Sequence, residues 1–159
     1  DELGTPYTGL PEIEGENVNQ HDVGHGKAVG RFEATDVRKK IRYQHMSLID
    51  KIVSRLKSTP EGNGSMFDHT MLLYFPDNGE THHSQGTEWP FVVISGDKTP
   101  LDISGRYIRL PRYGQAGHQT LGNWYTTLLN AYGNPIDHFG SLDVGLSFDQ
   151  SGPIDKFIS

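Results

Sequence analysis

An α/β fold is predicted, and three features of the sequence predict it. Residues 35–57 repeat apolar side chains at intervals of three and four. Two short apolar runs, Thr70 to Phe75 and Phe91 to Ser95, show no alternation with polar residues. A second amphipathic stretch covers residues 119–132. Strands without alternation are those buried on both faces, as in a parallel or mixed sheet covered by helices.

The chain has 159 residues, enough for one domain with its own core. Its apolar fraction is 34%, low for a compact domain that still carries buried strands. That combination predicts a piece resting on something else: an N-terminal half of the same protein, a partner chain, or further copies in an oligomer or complex. The net charge of −6 argues against a nucleic-acid partner. The dense basic run, Arg38-Lys39-Lys40-Ile41-Arg42, reads as the solvated face of a helix. There are no cysteines, which excludes disulfides, thiolate metal sites and a cysteine nucleophile. No apolar run approaches the ~18 residues of a membrane span.

Residues 1–20 are acidic, rich in Gly and Pro, and without period. They read as an extended arm or linker that Leu10 and Ile13 could anchor on a neighbour. His21-Asp22-Val23-Gly24-His25-Gly26 reads as a tight polar loop, either a plain turn or a ligand loop. The 35–57 helix carries Ile41, Leu48, Ile49, Ile52, Val53 and Leu56 on one face. Thr35 or Asp36 is placed to cap it, and Pro60 to end it. Tyr43, His45 and Met46 flank the stripe as packing residues. Glu61-Gly62-Asn63-Gly64 is a turn signal.

The two strands bracket a polar loop, and Asp77 falls just past the carboxyl end of the first, where ligands collect in α/β sheets. Tyr107 to Leu110 is a candidate edge strand within the irregular 97–117 region. The 119–132 helix carries Leu121, Trp124, Tyr125, Leu128 and Leu129. Gly133 and Pro135 stop it. The predicted α/β domain covers 21–140, and 141–159 is an irregular tail.

The loop supplies the chemistry. Asp77, Asn78 and Glu80 offer oxygen ligands, and His82 and His83 offer imidazoles. A mixed nitrogen and oxygen set suits zinc, manganese or iron, whereas an oxygen-dominated subset suits calcium or magnesium. So many ligands in so short a stretch must divide between two ions or recruit other loops. His21, His25 and His118 are available for that. Histidine-rich loops also cap sheets by hydrogen bonding and bind nothing, so both readings stand.

Asp77-Asn78-Gly79, then His83, then Pro90-Phe91-Val92-Val93-Ile94-Ser95-Gly96, resembles the C-terminal half of the alkaline phosphatase and sulfatase superfamily. His21-Asp22-Val23-Gly24-His25 resembles that superfamily's Asp-x-x-Gly-His ligand loop, with His21 where Asp is usual. A closer resemblance is to a family of secreted bacterial proteins known only as a domain of unknown function. Its motifs are matched by Lys57-Ser58-Thr59-Pro60-Glu61-Gly62, by His118, and by Leu128-Leu129-Asn130-Ala131-Tyr132-Gly133-Asn134-Pro135. The resemblance spans roughly 20–140.

It implies the C-terminal portion of an alkaline-phosphatase-like mixed sheet flanked by helices. The implied activity is metal-dependent hydrolysis of phosphate or sulfate esters, in a periplasmic or secreted protein. Asp77, Asn78, His83 and His25 would hold a divalent metal, zinc or calcium foremost and manganese as a third choice. His21, His82, His118 and Glu80 are further candidates. The superfamily's nucleophile lies in an N-terminal half, and no Ser or Thr here has that context. The alternative is a non-catalytic extracellular module that keeps the fold.

Overall fold

The computed structural model describes residue 13 and residues 18–76 and 86–158. In chain order it shows α1 (Gln20–Gly24), α2 (Ala34–Ser58), β1 (Pro60–Glu61), β2 (Gly64–Ser65), β3 (Met71–Tyr74), β4 (Val92–Ser95) and α3 (Leu121–Ala131). Single 3-10 turns occupy Met66–His69 and Asp155–Phe157. The architecture is mixed α/β, with helices and small antiparallel sheets.

The expected 35–57 helix forms within one residue of its predicted ends. Its cap differs: Glu33 is the N-cap and its side chain accepts no capping bond, so neither Thr35 nor Asp36 has that role. Only the first third of its apolar face is buried, at Ala34, Val37 and Ile41. Leu48 and Ile52 remain about half exposed, at 48% and 50%. Tyr43, expected to pack, is 81% exposed.

Pro60 does more than end α2. It opens a small hairpin, with Pro60 opposite Ser65 and Glu61 opposite Gly64. The predicted turn at Glu61-Gly62-Asn63-Gly64 closes it. The chain then turns through Met66–His69 into β3.

Both predicted strands form. They pair with each other antiparallel, Met71 with Ser95 through Tyr74 with Val92. Among the described residues this is a two-stranded sheet, not part of a larger parallel or mixed one. The strands are half-buried, so their unbroken apolar pattern reflects packing against the C-terminal core on one side and partial shelter on the other. Gly96 ends β4 against the turn before β3. A Cβ there would overlap the Phe67 carbonyl and lie 2.6 Å from Asp68 Cα, so only glycine fits.

Two apolar cores result among the described residues. The first gathers Ile13, Val18, Val23, Val29, Ala34, Val37 and Ile41 around α1 and the start of α2. Ile13, expected to anchor an arm on a neighbour, is instead buried in this chain's own core. The rest of 1–17 lies outside the described residues. The second core joins Leu101, Trp124, Ile154 and Phe157, with the inner sides of β3 and β4 packed on it. Trp124 meets Phe157 edge-to-face at 5.4 Å and Phe91 at 4.9 Å.

The buried side of α3 is polar as well as apolar. Thr120 and Asn123 form a capping box at its start. The Asn123 amide donates to Gln150 O at 2.8 Å and Gly152 O at 2.9 Å. Thr126 Oγ1 accepts from Phe139 N at 3.0 Å. Asn130 Nδ2 donates to Ile136 O at 2.9 Å. The tail is thus an irregular strap, as predicted, held to α3 by hydrogen bonds that its sequence does not advertise. Gly133, at φ 82°, lets the chain leave the helix as expected.

Candidate functional site

Asp77, Asn78, Glu80, His82 and His83 lie outside the described residues. The other predicted site residues, His21, His25 and His118, are described. His21 sits on α1 and His25 is the residue that ends it, so the segment is a short helix rather than the loop the two glycines suggested. Asn19 caps it, its side chain accepting from His21 N at 3.0 Å and Asp22 N at 3.3 Å. Val23 points into the first core and holds the turn in place. The two imidazoles pack edge-to-face with centroids 4.7 Å apart. Between them Asp22 pairs with Lys27 at 2.9 Å. That hydrogen bond holds the Asp22 carboxyl below its ordinary pKa.

His118 stands just before α3. Its Nδ1 lies 2.9 Å from Pro111 O. A carbonyl only accepts, so Nδ1 carries the proton and Nε2 keeps the lone pair in the neutral ring. Tyr113 approaches the same ring at 5.6 Å, and Phe148 at 6.3 Å. The Tyr113 hydroxyl is bonded to the Asp143 carboxylate, which raises its pKa.

His21 and His118 line one broad cleft, of about 1990 Å³. His25 is not among the residues lining it. Small-molecule pockets reach about 1,000 Å³, so this cleft has room for a polymer or a further piece of protein. Its lining includes Arg38, Arg42, Arg106, Arg109 and Arg112, against the carboxylates Glu88 and Asp143. In a chain of net charge −6 this is a local reversal of sign. Arg42, Arg109 and Arg112 pair with no carboxylate among the described residues, whereas Arg106 is held by Asp102 at 3.0 Å.

Three features escaped the sequence reading. Arg38 and Arg42 are not merely solvated: with Ile41 and His45 they form an i, i+3, i+4, i+7 stripe of α2 that faces the cleft. That spacing was the available signal. His45, expected to be a packing residue, lies 3.0 Å from the Tyr74 hydroxyl and ties α2 to β3 at the cleft wall. Trp89, also on the wall, donates from Nε1 to Gly86 O at 2.9 Å and meets Phe75 at 6.3 Å.

Among the described residues no group of three or more histidines and carboxylates is placed to hold a metal. His118, with Nε2 available, fits the role of a single ligand. No helix among the described residues is long and apolar enough to cross a membrane. No protein-family model, curated protein or solved structure matches the chain.

Proposed function

We propose that this chain is the C-terminal portion of a metal-dependent hydrolase of phosphate or sulfate esters, alkaline-phosphatase-like in fold, and that it supplies the wall receiving the anionic group. The observation that carries this reading is the sign of the cleft. An acidic chain sets Arg38, Arg42, Arg109 and Arg112 along one concave surface with His21 and His118. Guanidinium groups match the oxygens of phosphate and sulfate with paired hydrogen bonds.

Asp77, Asn78, His83 and His25 are the proposed metal ligands, with His21, His82, His118 and Glu80 as further candidates. A bound divalent ion polarises an ester oxygen or acidifies a water. The chain's own residues bind and orient the anion. His118, its Nδ1 proton committed to Pro111 O, offers Nε2 as a ligand or a proton acceptor.

The test is metal content together with ester hydrolysis. Purified protein should retain stoichiometric zinc, calcium or manganese, and Asp77→Ala should lose it. The native protein, with any N-terminal half that accompanies it, should hydrolyse an aryl phosphate or aryl sulfate. Metal-free protein with no hydrolysis would overturn the proposal. The second reading, a non-catalytic extracellular module, is favoured by the hydrogen bonds that commit His45 and His118 to the fold. Hydrolysis by the native protein would dispose of it.

A further inference from the structure

Residues 107–110 have the sequence Tyr107-Ile108-Arg109-Leu110, which alternates in exposure. Ile108 and Leu110 pack against the second core. Tyr107 is 93% exposed and Arg109 is exposed. This is the pattern of a strand lying on a core. Yet no backbone N–H or C=O of these four residues bonds to any group among the described residues. The flanking amides are engaged: Arg106 N donates to Ile103 O at 3.4 Å, and Arg112 N to Gln115 Oε1 at 3.3 Å. The predicted edge strand does not form: the segment is seated on the core without a sheet.

Beside it lies a shallow groove lined by Arg109, Leu110, Pro111, Arg112, Gln115 and Lys156. The side chains of Arg109, Arg112 and Lys156 pair with no carboxylate among the described residues. The segment is itself fastened, because Arg106 Nη1 donates to both Asp102 O and Lys156 O at 2.7 Å.

We propose that 107–110 is a docking edge for an extended acidic polypeptide. The incoming strand takes up the unpaired backbone groups, as strand addition to an exposed edge does. Its carboxylates lie against Arg109, Arg112 and Lys156. Backbone pairing selects an extended peptide over a compact anion, and the three cations select acidic side chains. The inference shares Arg109 and Arg112 with the ester-hydrolase reading but rests on a different observation, the unpaired backbone of 107–110.

A short blocked peptide alternating glutamate and valine is the probe, titrated by NMR against the full chain. Hydrogen exchange reads the amides of Ile108 and Leu110. Those amides should exchange quickly in the free protein and slow at least about tenfold when the peptide saturates. Arg109→Glu with Arg112→Glu should weaken binding by about tenfold or more, without moving the melting transition. The same peptide N-methylated at alternate amides should not bind. Equal binding of the N-methylated peptide would show a purely ionic groove and overturn the proposal. No binding at millimolar peptide would do the same. So would self-association that disappears in the Arg109→Glu, Arg112→Glu variant, because the occupant would then be a second copy.

Discussion

The buried Thr127 hydroxyl accepts the backbone N–H of Ile154 at 2.7 Å and donates to Asn123 O at the same distance. One side chain thus bonds the helix behind it and the tail in front of it. Thr127→Val keeps the shape and removes the acceptor. It leaves the Ile154 N–H buried without a partner, which costs about 1–3 kcal/mol. Urea unfolding should show the unfolding free energy fall by that amount, with a lower midpoint, and Thr127→Ser should recover most of it. An unchanged midpoint in the valine variant would mean that the tail is not held there.

Gly96 should tolerate no side chain. The methyl group of Gly96→Ala meets Phe67 and Asp68 backbone atoms, which cannot rotate away. Separating β4 from the turn would also strain the Gly96 N to Thr70 O bond of 3.0 Å. The expected loss is on the order of 1–3 kcal/mol, as for other overpacking changes. Thermal melts of the variant and the parent decide it.

Asp68 gives the fold a specific weakness to acid. Its carboxylate accepts from Ser65 Oγ at 2.7 Å and faces Lys98 Nζ at 3.2 Å. The Ser65 hydrogen bond first, and Lys98 second, hold its pKa below the ordinary value. Such a carboxyl contributes stability above its unfolded pKa of about 3.9 and loses it as pH falls through its own lower value. Asp68→Asn should therefore be less stable than the parent at neutral pH, with the difference closing below pH ~4. A difference that stays constant with pH would assign the effect to shape rather than charge.

The arginine stripe of α2 should govern anion affinity. Arg38→Glu with Arg42→Glu should weaken binding of inorganic phosphate or sulfate by about tenfold or more, because each guanidinium bond to a charged group contributes about 1.5–3 kcal/mol. Arg42 is exposed and Arg38 half-buried, and neither belongs to the apolar core, so the melting transition should hold. Calorimetry at low salt reads the affinity. Undiminished binding would remove these residues from the site.

The elements were legible where they depend on neighbours in the chain. The 35–57 period, the turn at Gly62, the two apolar runs and the Gly133 stop each appear close to the predicted place. The polar stripe of α3 was not legible. Asn123, Thr126, Thr127 and Asn130 look like ordinary helix-surface residues until residues 136–154 fold back onto them. Asn19 as the cap of α1 was legible in principle, since Asn ahead of an acidic first turn is a capping signal. The glycines of His21-Asp22-Val23-Gly24-His25-Gly26 give the competing signal of a loop.

The site divides the same way. His21 and His118 were picked out as histidines in glycine-rich segments, and they do line one cleft. The arginines carry no such mark, because a basic run on a helix has no sign of function until its facing surface is known. Local periodicity by itself determined that this chain makes two main helices and a strand pair, since backbone geometry repeats over a few residues. Only the tertiary structure decided that the pair is antiparallel, that Arg38, Arg42 and His45 of α2 line the same cleft as 106–112, and that the tail closes on α3. Those are contacts between residues tens of positions apart, where the balance of burial and hydrogen bonding is set by the whole chain rather than by any stretch of it.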